Sequence, residues 1–371
     1  MKRLKLGMVG GGQGAFIGGV HRIAARLDNR WDLVAGALSS DPVRAQASAD
    51  DLGLARSYTS YEDMAKAEAA RDDGIDAVSI VTPNHMHAGP AIAFLNAGIH
   101  VICDKPLAAT QDQADDIAHA VENARAKGTH FILTHNYTGY PLIRQARAMV
   151  ARGDLGQIRV IQAEYAQDWL AQAPDPDNKQ AAWRTDPARA GGGAIGDIGT
   201  HALNLASFVT GQRPAALAAD LHSFVGGRMV DDNAHILLRM DGGARAMLWA
   251  SQVAVGSENG LRLRIYGDKG GLEWGQENPN QMTFTRFGQP KQILTRGGAG
   301  TGPDWTRIPP GHPEGYLEGF ATLYADAADL IAGTGDGALL PGIEAAMDGM
   351  WFIAACQASS AKDGVFISRG Q

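Results

Sequence analysis

The stretch Val101-Ile102-Cys103-Asp104-Lys105-Pro106-Leu107 decides the fold. Its first three residues are β-branched or small and apolar, which suits a strand covered on both faces. Pro106 has no N–H to donate to a sheet, so the strand ends beside it. Asp104 and Lys105 are therefore expected at the carboxyl end of a parallel strand, the edge at which open α/β sheets bind ligands. Taken alone, Lys105 is either a catalytic cation or a solvated strand-end residue.

A glycine-rich turn lies near the N-terminus. An apolar strand, Leu4 to Val9, leads into Gly10-Gly11-Gly12-Gln13-Gly14-Ala15-Phe16-Ile17-Gly18, and a helix is predicted from about Val20 to Leu27. Strand, glycine turn and helix are the context of a dinucleotide-binding fingerprint. Gly10 would form the tight turn, and Gly12 would let the backbone approach a pyrophosphate at the helix N-terminus. We expect Gln13 to Ile17 to form a phosphate-side loop in which Phe16 or Ile17 covers a nicotinamide.

The end of the second predicted strand, Asp32 to Leu38, bears on the choice of cofactor. A site for NAD places an acidic residue there to bind the ribose 2′-hydroxyl. That position is Ser39, followed by Ser40, and Arg44 lies on the first turn of the next predicted helix, Pro42 to Leu52. Serine does not repel a 2′-phosphate, so the sequence favours NADP over NAD. Two alternatives stay open, an NAD ribose held by Asp41 and a purely solvated Arg44.

The third long strand, Ile75 to Val81, ends in Thr82-Pro83-Asn84-His85-Met86-His87. A His-x-His pair can ligate zinc, but no third ligand is spaced nearby, so no metal is expected. Strands and helices alternate up to a strand ending at Thr134, which predicts a doubly wound parallel sheet. We therefore expect a dinucleotide-binding domain at residues 1–134 and a second domain at residues 135–371.

The second predicted domain contains Trp183, Arg184 and a run of three glycines, Gly191 to Gly193, ahead of Asp197 and His201. A spacing of four places both side chains on one face of a helix, one turn apart. The alternative is a structural aspartate and a packed histidine. Six strands with Gly and Asp-Gly turns follow and predict an α+β domain with a large, mainly antiparallel open sheet. The predicted strands are Ala216 to Val225, Asp232 to Met240, Ala244 to Ala254, Leu261 to Tyr266, Gly271 to Trp274 and Met282 to Arg286.

Two helices close the chain. One is predicted from the Gly311-His312-Pro313 stretch to about Ile331, and His312 either reaches a substrate or caps the helix. The last is predicted over about Ile343 to Lys362, packing back on the first domain.

Composition excludes several classes of protein. The 371 residues are 45% hydrophobic and 20% charged, which describes a globular protein too long for one ordinary core. The net charge is −7, with no basic run, so neither nucleic acid nor an anionic membrane is an expected partner. Two distant cysteines form no disulfide framework, and no apolar run suits a signal peptide or a membrane span, so a cytoplasmic location is expected.

Three anchors together resemble one family: the glycine loop, Asp104-Lys105-Pro106, and Gly191 to His201 with its Gly-Gly-Gly-x-x-x-Asp-x-Gly-x-His pattern. The chain resembles the Gfo/Idh/MocA oxidoreductases, the family of glucose-fructose oxidoreductase and inositol dehydrogenase. The Thr82-Pro83-Asn84 turn with His87 is similar to the family's Thr-Pro-Asn-x-x-His. Asp104 departs from the pattern, because glutamate is commoner there.

The resemblance implies a Rossmann domain and a nicotinamide-dependent oxidoreductase acting on a sugar, sugar derivative or cyclic polyol. It implies that His201 is the general base, that Asp197 orients it or binds a neighbouring hydroxyl, and that Lys105 stabilises a developing alkoxide. The cofactor would lie along Gly10, Gly12, Gln13, Ala15, Phe16, Ile17, Ser39, Ser40, Arg44, Thr82, Pro83, Asn84, His87, Asp104 and Lys105, with Arg184 beside it. Candidate substrate residues, besides the three catalytic ones, are Tyr137, Trp183, Arg184 and His312.

The family also implies a homodimer or homotetramer formed through the outer face of the second sheet. Met247 and Trp249 either contribute to that contact or form core. Two other functions stay open. A redox-neutral glycosidase that uses NAD transiently would need the same three catalytic residues. A non-catalytic dinucleotide-binding regulator would not need a general base.

Overall fold

The structure is a computed structural model that describes residues 3–173, 178–302 and 305–370. The chain divides into two compact units, Met1–Gly139 with Tyr316–Met347, and Tyr140–Gly315 with Asp348–Gln371. This division differs from the predicted boundary at 134/135, because residues 135–139 and a helix near the C-terminus group with the first unit. No described helix has the length and apolar character that a bilayer span requires.

The first unit is built on a six-stranded sheet in which every strand pair is parallel, in the order β3-β2-β1-β4-β5-β6. This confirms the doubly wound sheet. The strands are β1 Leu4–Gly10, β2 Trp31–Ala37, β3 Arg56–Ser57, β4 Ala77–Val81, β5 His100–Cys103 and β6 Phe131–Leu133. The helices are α1 Phe16–Leu27, α2 Pro42–Leu52, α3 Tyr61–Ala69, α4 Ala88–Asn96 and α5 Gln111–Arg125, with α10 Tyr316–Ile331 added from the far end of the chain.

Helix α10 belongs to this unit because it shares its core. Phe320 and Tyr324 are buried in one apolar cluster with Leu6, Trp31 and Ile102. The Trp31 indole N–H also donates to the Tyr324 carbonyl at 2.8 Å. This helix was predicted in the second domain, because its local sequence does not indicate contact with Trp31, about 300 residues away.

Helix α1 begins at Phe16, four residues earlier than predicted. Ile17 therefore lies in the first helical turn and packs against the apolar clusters of the unit, and only Gly11 to Ala15 form the loop. Phe16 is 66% exposed. Because Phe16 follows a glycine-rich stretch, the sequence favoured a loop at this position, and the predicted start of the helix was too late.

The second unit contains a nine-stranded sheet in the order β14-β13-β12-β11-β7-β10-β9-β8-β15. All neighbours are antiparallel except β7 and β10, so the mainly antiparallel sheet is confirmed. The strands are β7 Ile158–Ala166, β8 Pro214–His222, β9 Asn233–Met240, β10 Arg245–Ser251, β11 Gly260–Gly267, β12 Gly270–Gly275, β13 Gln281–Arg286, β14 Gln292–Thr295 and β15 Ile367–Ser368. The last two were not predicted.

Helices α6 Pro141–Ala151, α7 Lys179–Arg184, α8 Pro187–Ala190 and α9 Thr200–Thr210 belong to the second unit. Helix α11, Ile343–Ser360, has its first five residues grouped with the first unit and the remainder with the second. Strand β9 alternates buried and exposed residues, so one face of the sheet packs on helices and the other is open. The sequence also predicts a polar, proline-bearing loop from Asp168 to Asn178, and part of it lies outside the described residues.

Candidate active site

The glycine loop follows β1 and is shaped by close backbone contacts. Gly10 and Gly11 both have positive φ angles, 79° and 74°, which other residues rarely adopt. A Cβ at Gly12 would lie 2.8 Å from the Leu38 carbonyl oxygen, and one at Gly18 would lie 2.5 Å from the Gly11 Cα. Helix α1 starts behind the extended Ala15 with no side-chain cap. The loop therefore places uncapped helical N–H groups beside an exposed backbone, as anion binding requires.

Two side chains stabilise this loop. The Arg22 guanidinium, on α1, donates to the Gly11 carbonyl at 2.7 Å, and sequence reasoning missed it. The Gln13 backbone N–H donates to the Ser48 hydroxyl, and the Gln13 side chain donates to Asp51 at 2.7 Å. Gln13 thus ties the loop to α2.

The end of β2 carries the residues expected to select the cofactor. Ser39 is half-buried, Ser40 and Arg44 are exposed, and the Ser39 hydroxyl accepts from the Asp41 N–H at 3.2 Å. The Asp41 carboxylate accepts from the Arg44 N–H at 2.8 Å and caps α2. Asp41 therefore caps helix α2, a role that was not predicted from the sequence.

The turn after β4 packs against the glycine loop. The Thr82 methyl lies 2.8 Å from where a Gly10 Cβ would stand, and Asn84 is buried in a short 3₁₀ turn that follows Pro83. The two ring nitrogens of buried His87 lie 2.9 Å from the Pro106 carbonyl oxygen and 2.8 Å from the Thr82 carbonyl oxygen. His87 thus links this turn to the segment after β5. Among the described residues, no group of three His, Cys, Asp or Glu is placed to hold a metal ion.

Asp104 and Lys105 follow β5 directly, as predicted. The Asp104 carboxylate accepts from the Thr134 hydroxyl at 2.8 Å and lies 3.8 Å from the His21 Nε2, a charge contact too long for a hydrogen bond. Burial acts to raise the pKa of the Asp104 carboxyl, but His21, Lys105 and Thr134 outweigh it and hold the pKa well below its usual range. Asp104 is therefore an anion beside Lys105.

A buried polar network lies behind this carboxylate. The His21 Nδ1 lies 2.9 Å from the Tyr324 hydroxyl and 3.3 Å from the Ser79 hydroxyl, and the two hydroxyls are 2.9 Å apart. All three residues are at most 1% exposed. The two hydroxyls therefore surround Nδ1, while Nε2 of the same ring faces Asp104. The partners of His21 were not predicted from the sequence.

The end of β6 adds buried residues near Lys105. Burial, followed by the positive charge of Lys105, lowers the pKa of His135 to about 3, so this imidazole is neutral at working pH. Tyr137, a predicted substrate residue, is 3% exposed in the 3₁₀ turn Asn136–Gly139. The neighbouring Asn136 Nδ2 is buried, and none of the described residues forms a hydrogen bond with it.

In the second unit, Asp197 lies in a π-helical turn, Ile195–Gly199, and His201 lies in the first turn of α9. The helix expected here thus contains a π turn, and such turns are frequent at functional sites. The His201 ring is buried, with its centroid 6.2 Å from that of Tyr165. The predicted pair is brought onto one continuous helical segment.

Asp197 is held by two side chains of its own unit. Its Oδ2 accepts from the Gln252 Nε2 at 2.9 Å and lies 3.3 Å from the Arg184 Nε. The Arg184 guanidinium lies over the Trp183 ring at 4.2 Å, which fixes both predicted pocket residues of α7. Sequence reasoning missed Gln252, which follows a strand with no motif around it.

Asp231 holds the glycine turn ahead of Asp197. Its carboxylate accepts from the Gly193 and Ile195 N–H groups, both at 2.8 Å, and its carbonyl oxygen accepts from the Ala194 N–H at 2.9 Å. A Cβ at Gly193 would lie 1.7 Å from that carbonyl oxygen. A glycine at position 193 is thus required by the close approach of the Asp231 backbone.

His312 does not start a helix. It is exposed in the segment before α10, and its carbonyl accepts from the buried Arg296 guanidinium, which pairs with Glu314 at 2.9 Å. The predicted helix start is wrong because Pro313 and Gly315 interrupt the segment.

Both halves of the chain match known family models. Residues 4–135 match an oxidoreductase family with an NAD-binding Rossmann fold, and residues 143–273 match the GFO/IDH/MocA C-terminal domain. The chain belongs to the Gfo/Idh/MocA family. An uncharacterized oxidoreductase, YfiI of Bacillus subtilis, is 34% identical to it over 99% of this chain and 97% of its own.

Solved structures of Gfo/Idh/MocA relatives cover the whole chain. An oxidoreductase from Sinorhizobium meliloti is 52% identical, with a TM-score of 0.90 over 99% of this chain and 100% of its own. An inositol dehydrogenase homolog from Azotobacter vinelandii, solved with NADH and myo-inositol, is 38% identical, with a TM-score of 0.90 over 99% and 98% of the two chains.

Proposed function

We propose that this protein oxidises a secondary hydroxyl of a cyclic polyol or sugar with a nicotinamide dinucleotide, or reduces the corresponding ketone. The observation that carries the proposal is the Asp197–His201 segment, a carboxylate fixed from two sides and a buried imidazole one turn on. A general base with an orienting acid is what alcohol oxidation needs once a hydride acceptor is bound. The relative solved with myo-inositol supports a cyclic polyol as the first substrate class to test.

Three residues are assigned to the chemistry. His201 removes the hydroxyl proton of the substrate, because imidazole titrates near working pH. Asp197 orients His201 or binds a neighbouring hydroxyl. Lys105 stabilises the developing alkoxide in oxidation and polarises the carbonyl in reduction.

The first unit fits a dinucleotide. The absence of a Cβ at Gly12 and Gly18 lets the glycine loop pack closely against Leu38 and the start of α1, and the uncapped start of α1 supplies N–H donors for a pyrophosphate. The Thr82–His87 turn and Asp104-Lys105 lie at the same edge of the sheet, and the buried Asn136 Nδ2 supplies a donor suited to a carboxamide oxygen. The bound dinucleotide supplies the hydride acceptor or donor.

The residues at the end of β2 favour NADP over NAD. Ser39 brings no negative charge to the ribose, Arg44 is exposed on the first turn of α2, and Asp41 is occupied as the cap of that helix. Arg44→Ala should weaken NADP binding about tenfold, the loss of one charge-assisted contact, and leave NAD binding unchanged. Equal losses for both dinucleotides would refute a 2′-phosphate contact.

The open face of the second sheet is proposed as the contact with a second copy of the chain. Leu237 on β9 and Met247 on β10 pair directly across the two strands, and they are 54% and 51% exposed. Trp249 lies on the same face of β10. A doubly substituted protein, Leu237→Glu with Met247→Glu, should run as a monomer in light scattering while wild type runs as a dimer or tetramer.

The test of function is the absorbance of reduced nicotinamide when the protein meets NADP or NAD with inositols, aldoses and glycosides. His201→Ala and Lys105→Ala run alongside, with dinucleotide binding measured for each. A rate with one polyol, lost in both variants that still bind cofactor, is the expected result. Cofactor binding with glycoside cleavage and no net reduction would instead support the redox-neutral glycosidase. Dinucleotide binding without turnover of any substrate would support the non-catalytic regulator.

A further inference from the structure

Gln252 has no assigned role, yet it is buried against the proposed catalytic carboxylate. It follows β10, is 3% exposed, and donates its Nε2 to the Asp197 Oδ2 at 2.9 Å. A buried amide is costly unless its polar atoms are hydrogen-bonded. Its hydrogen bond to Asp197 accounts for its presence.

The backbone of Gln252 is fixed by the same segment that holds the glycine turn. The Gln252 N–H donates to the Asp232 carbonyl at 2.8 Å, and the preceding residue, Asp231, binds the Gly193, Ala194 and Ile195 N–H groups. Two consecutive aspartates therefore fix both the start of the π turn that carries Asp197 and the side chain that holds its carboxylate. The Asp231-Asp232 pair therefore sets the position of Gln252 relative to the π turn.

The charged and titratable groups that face Asp197 within its unit are few. Arg184 approaches the same Oδ2 at 3.3 Å, and His201 lies one turn further along, with the Tyr165 ring beside it. Gln252 is a neutral donor to that oxygen. A neutral donor stabilises the carboxylate without adding a charge that would compete for His201.

We propose that Gln252 is a positioning residue that fixes the Asp197 carboxylate for catalysis. The inference rests on the proposed function and deepens it. A glutamate at this position would set a second carboxylate about 3 Å from Asp197, so the two would share one proton, as close carboxylate pairs do. A leucine would remove the donor without adding charge. The two substitutions therefore separate loss of the hydrogen bond from a change in ionisation.

The experiment compares Gln252→Glu and Gln252→Leu with wild type in pH profiles of kcat and KM. We expect Gln252→Leu to lower kcat about tenfold or more across the profile. Gln252→Glu should move the acidic limb of kcat to higher pH by at least one unit. Gln145→Glu is the matched control, since Gln145 is equally buried, at 3% exposed, and bonds Thr301 elsewhere in the same unit. Gln145→Glu should not shift the acidic limb of the kcat profile.

Thermal unfolding supplies a readout that needs no activity. Gln252→Glu should lose stability relative to wild type as pH rises from 6 to 8.5, and Asp197→Asn in the same chain should restore most of it. Asp197→Asn should not rescue Gln145→Glu. An unshifted pH profile together with no rescue would overturn the inference. If wild type oxidises no polyol, the proposed function fails, and the rescue still decides whether Gln252 fixes Asp197.

Discussion

Replacing Gly193 by alanine tests the geometry of the turn that carries Asp197. The new Cβ would lie 1.7 Å from the Asp231 carbonyl oxygen, whereas ordinary contact begins near 3.4 Å, so the two segments must separate by about 1.7 Å. The colliding atoms of Asp231 belong to its backbone, so a change of side-chain rotamer cannot relieve the clash. Gly193 does not have a positive φ, so the effect is steric.

The cost follows from the hydrogen bonds that such a shift breaks. The Asp231 carboxylate accepts from Gly193 and Ile195 at 2.8 Å, and a displacement of this size takes both beyond hydrogen-bond distance. Bonds to a charged group contribute about 1.5–3 kcal/mol each, so we expect a loss of about 3–6 kcal/mol in unfolding free energy. The total stability of a domain is only about 5–15 kcal/mol. Displacing Asp197 and His201 by about an ångström should also lower kcat/KM about 100-fold.

The matched control is Gly196→Ala, three residues on in the same segment. The nearest heavy atoms to its Cβ lie at 3.8 and 3.9 Å, an ordinary contact. We expect its unfolding free energy to stay within about 1 kcal/mol of wild type, because alanine suits a helical position better than glycine. Chemical denaturation and initial rates measure both variants. If Gly193→Ala were as stable and as active as Gly196→Ala, the contact with Asp231 would not be what the turn requires.

Three further predictions concern the first unit. Tyr324→Phe removes a hydroxyl bonded to two buried partners and should cost about 1–3 kcal/mol by chemical denaturation; an unchanged stability would refute the network. The pKa of His135 is about 3 in the fold against an ordinary 6.5, so the unfolded chain binds the proton more readily and stability falls as pH drops below 6.5. That loss should reach about 2 kcal/mol between pH 6.5 and pH 5, and His135→Gln should reduce the slope. Arg22→Leu removes the donor to the Gly11 carbonyl and should raise the dissociation constant for the dinucleotide about tenfold; unchanged binding would show that the loop keeps its shape without it.

Local patterns predicted most of the fold. Helix α2 has the predicted bounds, since Asp41 caps it, Pro42 occupies its first position and Gly53 ends it in a left-handed conformation. The strand before Asp104 and the alternating strands of the second unit also read directly from their sequences. In each case the signal lies within a few residues of the element that it defines.

Contacts between distant segments account for what the sequence did not reveal. Tyr324 meets His21 across about 300 residues, and Asp231 meets Gly193 across 38. The local sequence around Tyr324 or Asp231 contains no pattern that predicts these contacts. The π turn at Asp197 lies directly after those N–H contacts, and no local sequence pattern distinguishes it from the ordinary helix that was expected.

The central claim is that this chain moves a hydride between a polyol carbon and a nicotinamide. The most direct measurement incubates the wild-type protein with dinucleotide and carbon-deuterated myo-inositol and determines deuterium in the reduced cofactor by mass spectrometry. The account predicts one deuterium per reduced nicotinamide, and none with His201→Ala. Reduced cofactor without deuterium, or no reduction with any inositol or sugar while the dinucleotide stays bound, would contradict it.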